Sequence, residues 1–566
     1  MTTPSLWEPA LSAPRRRMLL LLVAFWLIGT LAFWHWALRP AVWVSVPGTL
    51  LNLLLLFYVT GIPAWPFYLF LRMQQVRADL PIPAGLRVAM VVTKAPTEPW
   101  PLVQRTLEAM LAQEPCHDTW LADEQPSEEV REWCHCYGVR VSSRAGVTAY
   151  HRNTWPRRTR CKEGNLAFFY DHYGYANYDV VVQLDADHVP QPGYLLAMLQ
   201  PFNDPQIGYV AAPSICSSNA SSSWVARGRL FAEAALHGPM QLGWNRGWAP
   251  LCIGSHYAVR TQALQQVGGL GPELAEDHST TLLLNANGWR GAFAHRAIGY
   301  GLGPQTFEDA MVQEFQWSRS LTMILLRHLP AVFGQLPLLL RFQFLYAQVF
   351  YPLRGLLSLA VIGLPALALV LDLPWMRIHY PSFLLFSVLQ MLLTLLPVLY
   401  LRAAGLLRPP AVPLVSWEQS LFELTRGPWI LAGVGKALAE VLWPRPVVFR
   451  LTRKSTANDP LPLRFLAPYL VATTIGLAAA VLLADSTRLA RGYVLLTLIA
   501  TGFFALSALA VAVLSHRQVR SHFPGHLPHL GLTGVAVALT VACCWWRLPD
   551  LAVPFQQPAA SMLQLP

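Results

Sequence analysis

The sequence predicts an α/β domain inserted between two groups of membrane-spanning helices. Three observations carry that expectation. Long apolar runs recur at both ends of the chain, residues 78–335 hold none, and within that interval short apolar strands alternate with segments of helical period. Of the 566 residues, 54% are apolar and 13% charged, a balance that excludes an ordinary water-soluble protein.

The first span, 18–38 (MLLLLVAFWLIGTLAFWHWAL), has the length needed to cross a hydrocarbon core. Arg15, Arg16 and Arg17 precede it as in a signal peptide. It is too long for such a core and lacks a small-residue cleavage site, so it is expected to be retained. Further spans are expected near 47–71, 346–371, 381–401, 464–484, 493–514 and 527–546, about seven in all. The basic triplet before the first span, with Arg72, Arg77 and Arg87 after the second, outweighs Arg39 between them. The N-terminus and the inserted domain are therefore expected on the cytoplasmic side of an inner, plasma membrane, as is the later loop with Arg402, Arg408 and RPVVFRLTRK at 445–454. The net charge of +11 follows largely from this topology and also favours membrane lipid headgroups and phosphorylated substrates; nothing in it points to nucleic acid.

In the insert, RVAMVVT at 87–93, DTWLADE at 118–124, YGVRVSSR at 137–144 and DVVVQLDAD at 179–187 read as strands. PWPLVQRTLEAMLAQ at 99–113 and CKEGNLAFFYDHYG at 161–174 read as helices. Such alternation predicts a parallel sheet, and ligands of parallel sheets bind beyond the carboxyl ends of the strands. Asp123 and the pair Asp185 and Asp187 fall at those ends. Two carboxylates one residue apart after a strand are, taken alone, an ordinary polar turn. With a diphosphate-bearing donor they can also hold a divalent cation and the diphosphate together. Arg157, Arg158, Arg160 and Lys162 supply positive charge nearby, although such a run is also what a solvated loop looks like. Glu276 and Asp277 precede an apolar stretch of helical length; they complement a helix dipole, or one of them serves as a general base. Trp317, in QEFQWSRS at 313–320, anchors a helix at a membrane surface or stacks on a sugar ring. The eight cysteines match no zinc spacing and no disulfide framework, six of them lying in the domain placed in the reducing cytoplasm.

The order of these motifs resembles the membrane-embedded processive family 2 glycosyltransferases, which include cellulose, hyaluronan and chitin synthases. There a single Asp, a DxD, a TED and a QxxRW follow one another through a Rossmann-like GT-A domain flanked by membrane helices. The matching elements are Asp123, DADHVP at 185–190, AED at 275–277 and QEFQW at 313–317. CKEGNL at 161–166 looks like the family's basic-x-Gly-Asn segment, CIGSHYAVR at 252–260 like its acceptor loop, and FRLTRK at 449–454 like its gating loop. The resemblance implies three regions: 1–77 with two spans, 78–335 as the GT-A domain, and 336–566 as a multi-span channel with a gating-like loop at 445–456.

It also implies roles. Asp123, Lys162, Asp185, Asp187, Arg319, Thr452 and Lys454 would bind a UDP-sugar, with Asp187 and Asp185 on Mg2+ or Mn2+. Asp277 would be the base of an inverting transfer, and Cys252, Gly254, Glu276, Gln313, Gln316 and Trp317 would contact the growing glycan. The product would be a β-linked polysaccharide carried across the membrane, with periplasmic or outer-membrane export subunits as admissible partners. Two departures stand out. Ala275 replaces the Thr of TED, and Gln316 replaces the Arg of QxxRW, for which Arg319 is a candidate substitute. Transfer of a single sugar to a lipid-linked acceptor is the alternative activity, and a non-catalytic membrane scaffold the alternative class. A cyclic-di-GMP-binding domain after the spans is not expected.

Overall fold

The computed structural model describes residues 5–377, 379–444, 460–482, 489–518 and 527–552. They fall into two compact units. The first takes in the chain up to Leu11, Arg72–Gly355 and the described residues from Gly405 to 444. The second takes in Ser12–Leu71, Leu356–Ala404 and the described residues from 460 onward.

The first unit is the α/β domain. Its strands, in chain order, are β1 (Trp7–Pro9), β2 (Gln74–Val76), β3 (Val88–Lys94), β4 (Asp118–Asp123), β5 (Arg140–Ser142), β6 (Val180–Asp185), β7 (Val189–Pro190), β8 (Ile207–Ala211), β9 (Ser214–Ile215), β10 (His256–Arg260), β11 (Arg290–Phe293) and β12 (Gly299–Tyr300). Seven form one sheet in the order β11-β8-β10-β6-β3-β4-β5. Strand β3 pairs in parallel with β4 and β6, whereas β10 pairs antiparallel with β6 and β8. The sheet is therefore mixed, where alternation had predicted a parallel one. Much of the acceptor-loop-like segment at 252–260 is strand β10, entering the sheet from the edge where β3, β4 and β6 end.

Side chains alternate across this sheet, as a strand requires when both faces are covered. Val88, Met90 and Val92 of β3 join Val180, Val182 and Leu184 of β6 in one apolar cluster. Ala89, Val91 and Val181 join Tyr170, Tyr209 and Tyr257 in another on the opposite face. Helix Trp100–Leu111 covers the first face with Val103, Thr106, Leu107 and Met110, spaced as one helical stripe. Each buried aliphatic side chain contributes about 1.5–3 kcal/mol, so both faces are held firmly and the polar strand ends are left as the variable edge.

In the second unit and where the first adjoins it in sequence, six helices are long and apolar enough to cross a membrane: Ala13–Ala37, Val46–Leu71, Leu338–Leu371, Tyr380–Ala403, Leu489–Gln518 and Pro528–Trp546. Helix Ala467–Leu482, where a further span was expected, is equally apolar but shorter. This is a multi-pass membrane protein. Within the second unit helices approach closely through small residues, as expected where lipid tails supply no hydrophobic drive. A Cβ on Gly29 would lie 2.3 Å from Leu393, and Gln390 Nε2 donates to Thr30 Oγ1 at 2.7 Å one residue along.

Candidate active site

Four backbone features bring the site together. Strands β4 and β6 flank β3, so that Lys94 lies opposite Asp123 and Thr93 opposite Asp185. Strand β10 begins where β6 ends, and the Asp185 N–H donates to the Ser255 carbonyl at 2.8 Å. This antiparallel entry brings Gly254 beside the acidic strand end. Helix Lys162–Phe169 starts there too, and helix Glu276–Ala286 points its N-terminus at the same place.

Lys162 Nζ donates to Asp185 Oδ1 at 2.7 Å and to the Gly254 carbonyl. The Gly254 N–H in turn donates to the Asp277 carboxylate, and a Cβ on Gly254 would lie 3.3 Å from Asp277 Oδ2. Lys162, Asp185, Gly254, Glu276 and Asp277 thus converge on one spot. The rest of the basic-x-Gly-Asn segment explains itself in the same geometry. Gly164 is required because a Cβ would lie 2.0 Å from the Arg158 carbonyl, and Asn165 Nδ2 donates to the Ala122 carbonyl at 2.8 Å, tying the helix to the residue before Asp123.

Burial raises the pKa of Glu276, and the neighbouring Asp277 charge raises it further; burial raises Asp277 as well. Asp277 has the better-supported anion. It accepts N–H bonds from His278 and Gly254 in the first turn of its helix, where the dipole favours negative charge. Glu276 Oε1 has no hydrogen-bond partner among the described residues. Of the pair, Asp277 is the carboxylate and Glu276 the group that carries a proton. Lys162 is half-buried, and desolvation favours its neutral form, but Asp185 and Glu276 outweigh that and hold its pKa above the ordinary value.

Asp185, Asp187 and His188 each present one ligand atom, all within 4.8 Å of one another. The two carboxylates suit Mg2+ or Mn2+, which favour oxygen ligands. The turn that carries them is held from outside: Thr106 Oγ1 donates to the Ala186 carbonyl at 2.7 Å, and the Leu302 N–H donates to Asp187 Oδ2 at 2.9 Å. Thr106 has no motif signature, since a hydroxyl on the inner stripe of an amphipathic helix reads as packing. His188 is flanked by Ser214 Oγ at 3.3 Å, and Gly301 leaves room for its ring, where a Cβ would lie 2.2 Å away.

Several expected contacts lie differently. Asp123 is fully buried, with Lys94 Nζ 3.0 Å from Oδ2, so its carboxylate is paired inside the domain. The Cys252 side chain is buried in the apolar cluster under the sheet, and its N–H donates to Thr281 Oγ1 at 3.1 Å; it packs there rather than facing the acidic edge. Arg319 does not reach the acidic edge as a free cation. Its guanidinium is buried between Glu273 and Glu440, at 2.9 Å and 2.6 Å. Trp317, Gln313 and Gln316 lie half-buried on helix Phe307–Met323, with the Arg229 guanidinium carbon 4.5 Å from the Trp317 ring centroid and its Nη1 donating to Gln313 Oε1 at 3.0 Å. Cation–π contact therefore orients the indole that was expected to meet a sugar. Ala275 is the N-cap residue of the acid-pair helix and offers no side-chain cap, but Ser320 Oγ accepts its N–H at 3.0 Å. Thr452 and Lys454, with the gating-like loop, lie outside the described residues.

Residues 180–403, from the start of β6 to the end of the helix Tyr380–Ala403, match the model of the glycosyl transferase family group 2. Over this segment the chain is similar to family 2 glycosyltransferases. It is 26% identical over 213 residues to the UDP-forming cellulose synthase 1 catalytic subunit of Komagataeibacter xylinus, covering 37% of this chain and 27% of that protein. It is 24% identical over 347 residues to the cellulose synthase catalytic subunit of Pseudomonas fluorescens, covering 55% and 42%. Over 208 residues it is 26% identical to the glucans biosynthesis glucosyltransferase H of Vibrio cholerae, covering 34% and 27%. The chain thus spans less than half the length of these relatives. Among solved structures, a mannosyltransferase of Pyrobaculum calidifontis in complex with GDP-Man and Mn2+ aligns at 14% identity and a TM-score of 0.39, covering 75% of this chain and 99% of that one.

Proposed function

We propose that this chain is a family 2 glycosyltransferase, an inverting hexosyltransferase that polymerises a β-linked glycan from a UDP-sugar at the cytoplasmic face of the inner membrane and passes the product across it. The observation that carries this reading is the convergence of Asp185, Lys162, Gly254 and the Glu276–Asp277 pair on one strand edge. Asp277 takes the proton of the acceptor hydroxyl as that oxygen attacks the anomeric carbon from the face opposite the leaving diphosphate. Glu276, protonated, adds no second charge beside the base. Lys162 holds Asp185 in place and brings positive charge towards the departing diphosphate. Asp185, Asp187 and His188 would hold Mg2+ or Mn2+, whose charge, when bound, balances that of the diphosphate. Trp317, braced by Arg229, offers its ring to the acceptor sugar. The similarity to cellulose synthase subunits supports glucose as the sugar and a growing glucan as the acceptor.

The test is release of UDP by purified protein from a panel of UDP-sugars with Mg2+ or Mn2+, followed by product length and linkage. Long chains from one donor are the expected outcome. A product that stops after one sugar on a lipid would replace polymerisation with single transfer, and absence of UDP release from every donor would overturn the reading.

A further inference from the structure

Five buried charged groups form a line behind the site and touch none of the reacting atoms. Arg319 donates from Nε and Nη2 to Glu440 Oε2, at 2.9 Å and 2.6 Å, and from Nη1 to Glu273 Oε2 at 2.9 Å. The Glu273 carbonyl accepts from Arg158 Nη2 at 3.0 Å. The Glu163 carboxylate accepts from the Arg158 N–H at 3.1 Å, and the Arg158 and Glu163 side chains pair at 3.5 Å. Each of the five is less than one-tenth exposed. The line ends one residue from Lys162, and it passes three residues before Glu276.

Buried ion pairs of this kind contribute little net stability, because desolvation offsets attraction; their best-attested use is to fix one arrangement among several. What this one fixes can be read from its attachments. Glu273 opens the short segment that delivers Glu276 and Asp277. That segment is held by its side chain to Arg319, by its carbonyl to Arg158, and at Ala275 by Ser320 Oγ, which follows Arg319 directly. The far anchor, Glu440, lies on helix Gly427–Leu442, which packs on helix Phe307–Met323 so closely at Gly433 that a Cβ there would lie 2.1 Å from Ser318 Oγ. The two helices are one rigid support, and Arg319 is the link from it to the acid-pair segment.

We propose that Arg319 is a positioning residue, whose guanidinium, clamped between Glu440 and Glu273, sets the distance between Lys162 and the base Asp277. The proposal rests on the reading of Asp277 as the base, and it replaces the expectation that Arg319 meets the donor diphosphate. A group acting through position lowers turnover and spares nucleotide affinity. A diphosphate ligand does the reverse.

The experiment compares Arg319→Gln, Arg319→Lys, Glu440→Gln and the Arg319→Gln/Glu440→Gln double variant in the full-length protein. It measures kcat, UDP affinity, and amide hydrogen exchange of the segment 273–277. Arg319→Gln is expected to lower kcat on the order of tenfold to a hundredfold, the range for small displacements of a reacting group. UDP affinity stays unchanged and exchange in the segment accelerates. Glu440→Gln does the same to a smaller degree, and the double variant is no worse than Arg319→Gln, because both act through one link. Loss of UDP affinity in Arg319→Gln without faster exchange would make Arg319 a diphosphate ligand, and unchanged kcat with unchanged exchange would leave it a packing residue; either overturns the proposal. Should Arg319→Gln fail to fold, Arg319→Lys, which keeps the charge but not the fork, and Glu440→Gln carry the same comparison. Should the wild type release UDP from no donor, the proposed function fails, and the exchange measurement still decides whether Arg319 holds the segment.

Discussion

Asp277 and Glu276 are adjacent and chemically alike, yet their surroundings separate them: Glu276 is buried and Asp277 half-buried. The N–H groups of His278 and Gly254 support the Asp277 anion, whereas Glu276 Oε1 has no hydrogen-bond partner among the described residues and the Asp277 charge raises its pKa further. Asp277→Asn should therefore abolish transfer while UDP still binds, which a turnover assay beside calorimetric titration with UDP checks. Because burial raises both pKa values, the acidic limb of kcat/KM should lie above the ordinary carboxylate range, with Asp277 pushed up to about 6. Because Glu276 keeps its proton up to about pH 8, Glu276→Gln should leave that limb in place. The same substitution has a stability consequence of definite sign. A carboxyl whose folded pKa is raised favours the native state while protonated, and that contribution is lost as pH rises through the folded value. Above neutral pH, where Glu276 is pushed up to about 8 and must ionise, Glu276→Gln should unfold at a higher temperature than the wild type. No gain, or a lower melting temperature, would show that the ionised Glu276 is better accommodated than its surroundings imply.

Elements decide which of these residues meet. The DxD-like pair, the lysine before Gly-Asn and the acid pair were legible in the sequence because each combines a residue type with a chemical need at a strand or helix end. Their contacts with one another were not, because they depend on β10 running antiparallel, and the five-residue stretch HYAVR carries no sign of its direction. The Arg319 clamp was hidden for a related reason: its partners, Glu273 and Glu440, are 46 and 121 residues away. Thr106 was hidden by looking like packing. It yields a prediction for helix Trp100–Leu111, which covers the sheet and also holds the acidic turn through one hydroxyl. Thr106→Val keeps the shape and removes the donor, leaving the buried Ala186 carbonyl unsatisfied at about 1–3 kcal/mol. The expected result is a lower melting temperature together with a weaker dependence of activity on Mg2+ or Mn2+ at limiting ion concentration. A variant destabilised to that extent with an unaltered metal titration would assign the hydroxyl to folding alone.

For the whole chain, charge and strand pairing bear on the same question independently. The basic triplet before the first span and the arginines after the second predict one side for both segments. In the first unit β1, which precedes the first span, pairs antiparallel with β2, which follows the second: Trp7 lies opposite Val76 and Pro9 opposite Gln74. Strand pairing needs both partners in one compartment, so helices Ala13–Ala37 and Val46–Leu71 must cross as a hairpin and return the chain to the side it left. The α/β domain, which β2 enters, then lies on the side of the N-terminus. Cys116 and Cys136 are exposed on that domain, and Ser5, two residues before β1, is exposed as well. A Ser5→Cys variant lacking the other cysteines, and a variant keeping only Cys116, should react with a membrane-impermeant maleimide from the same side: in inverted inner-membrane vesicles and not in intact spheroplasts. Labelling of the two from opposite sides would break the β1–β2 pairing and with it the hairpin. Labelling of both from outside would preserve the pairing and overturn the charge-based orientation, and the nucleotide-sugar donor would then have to be supplied in a compartment the proposed function does not allow.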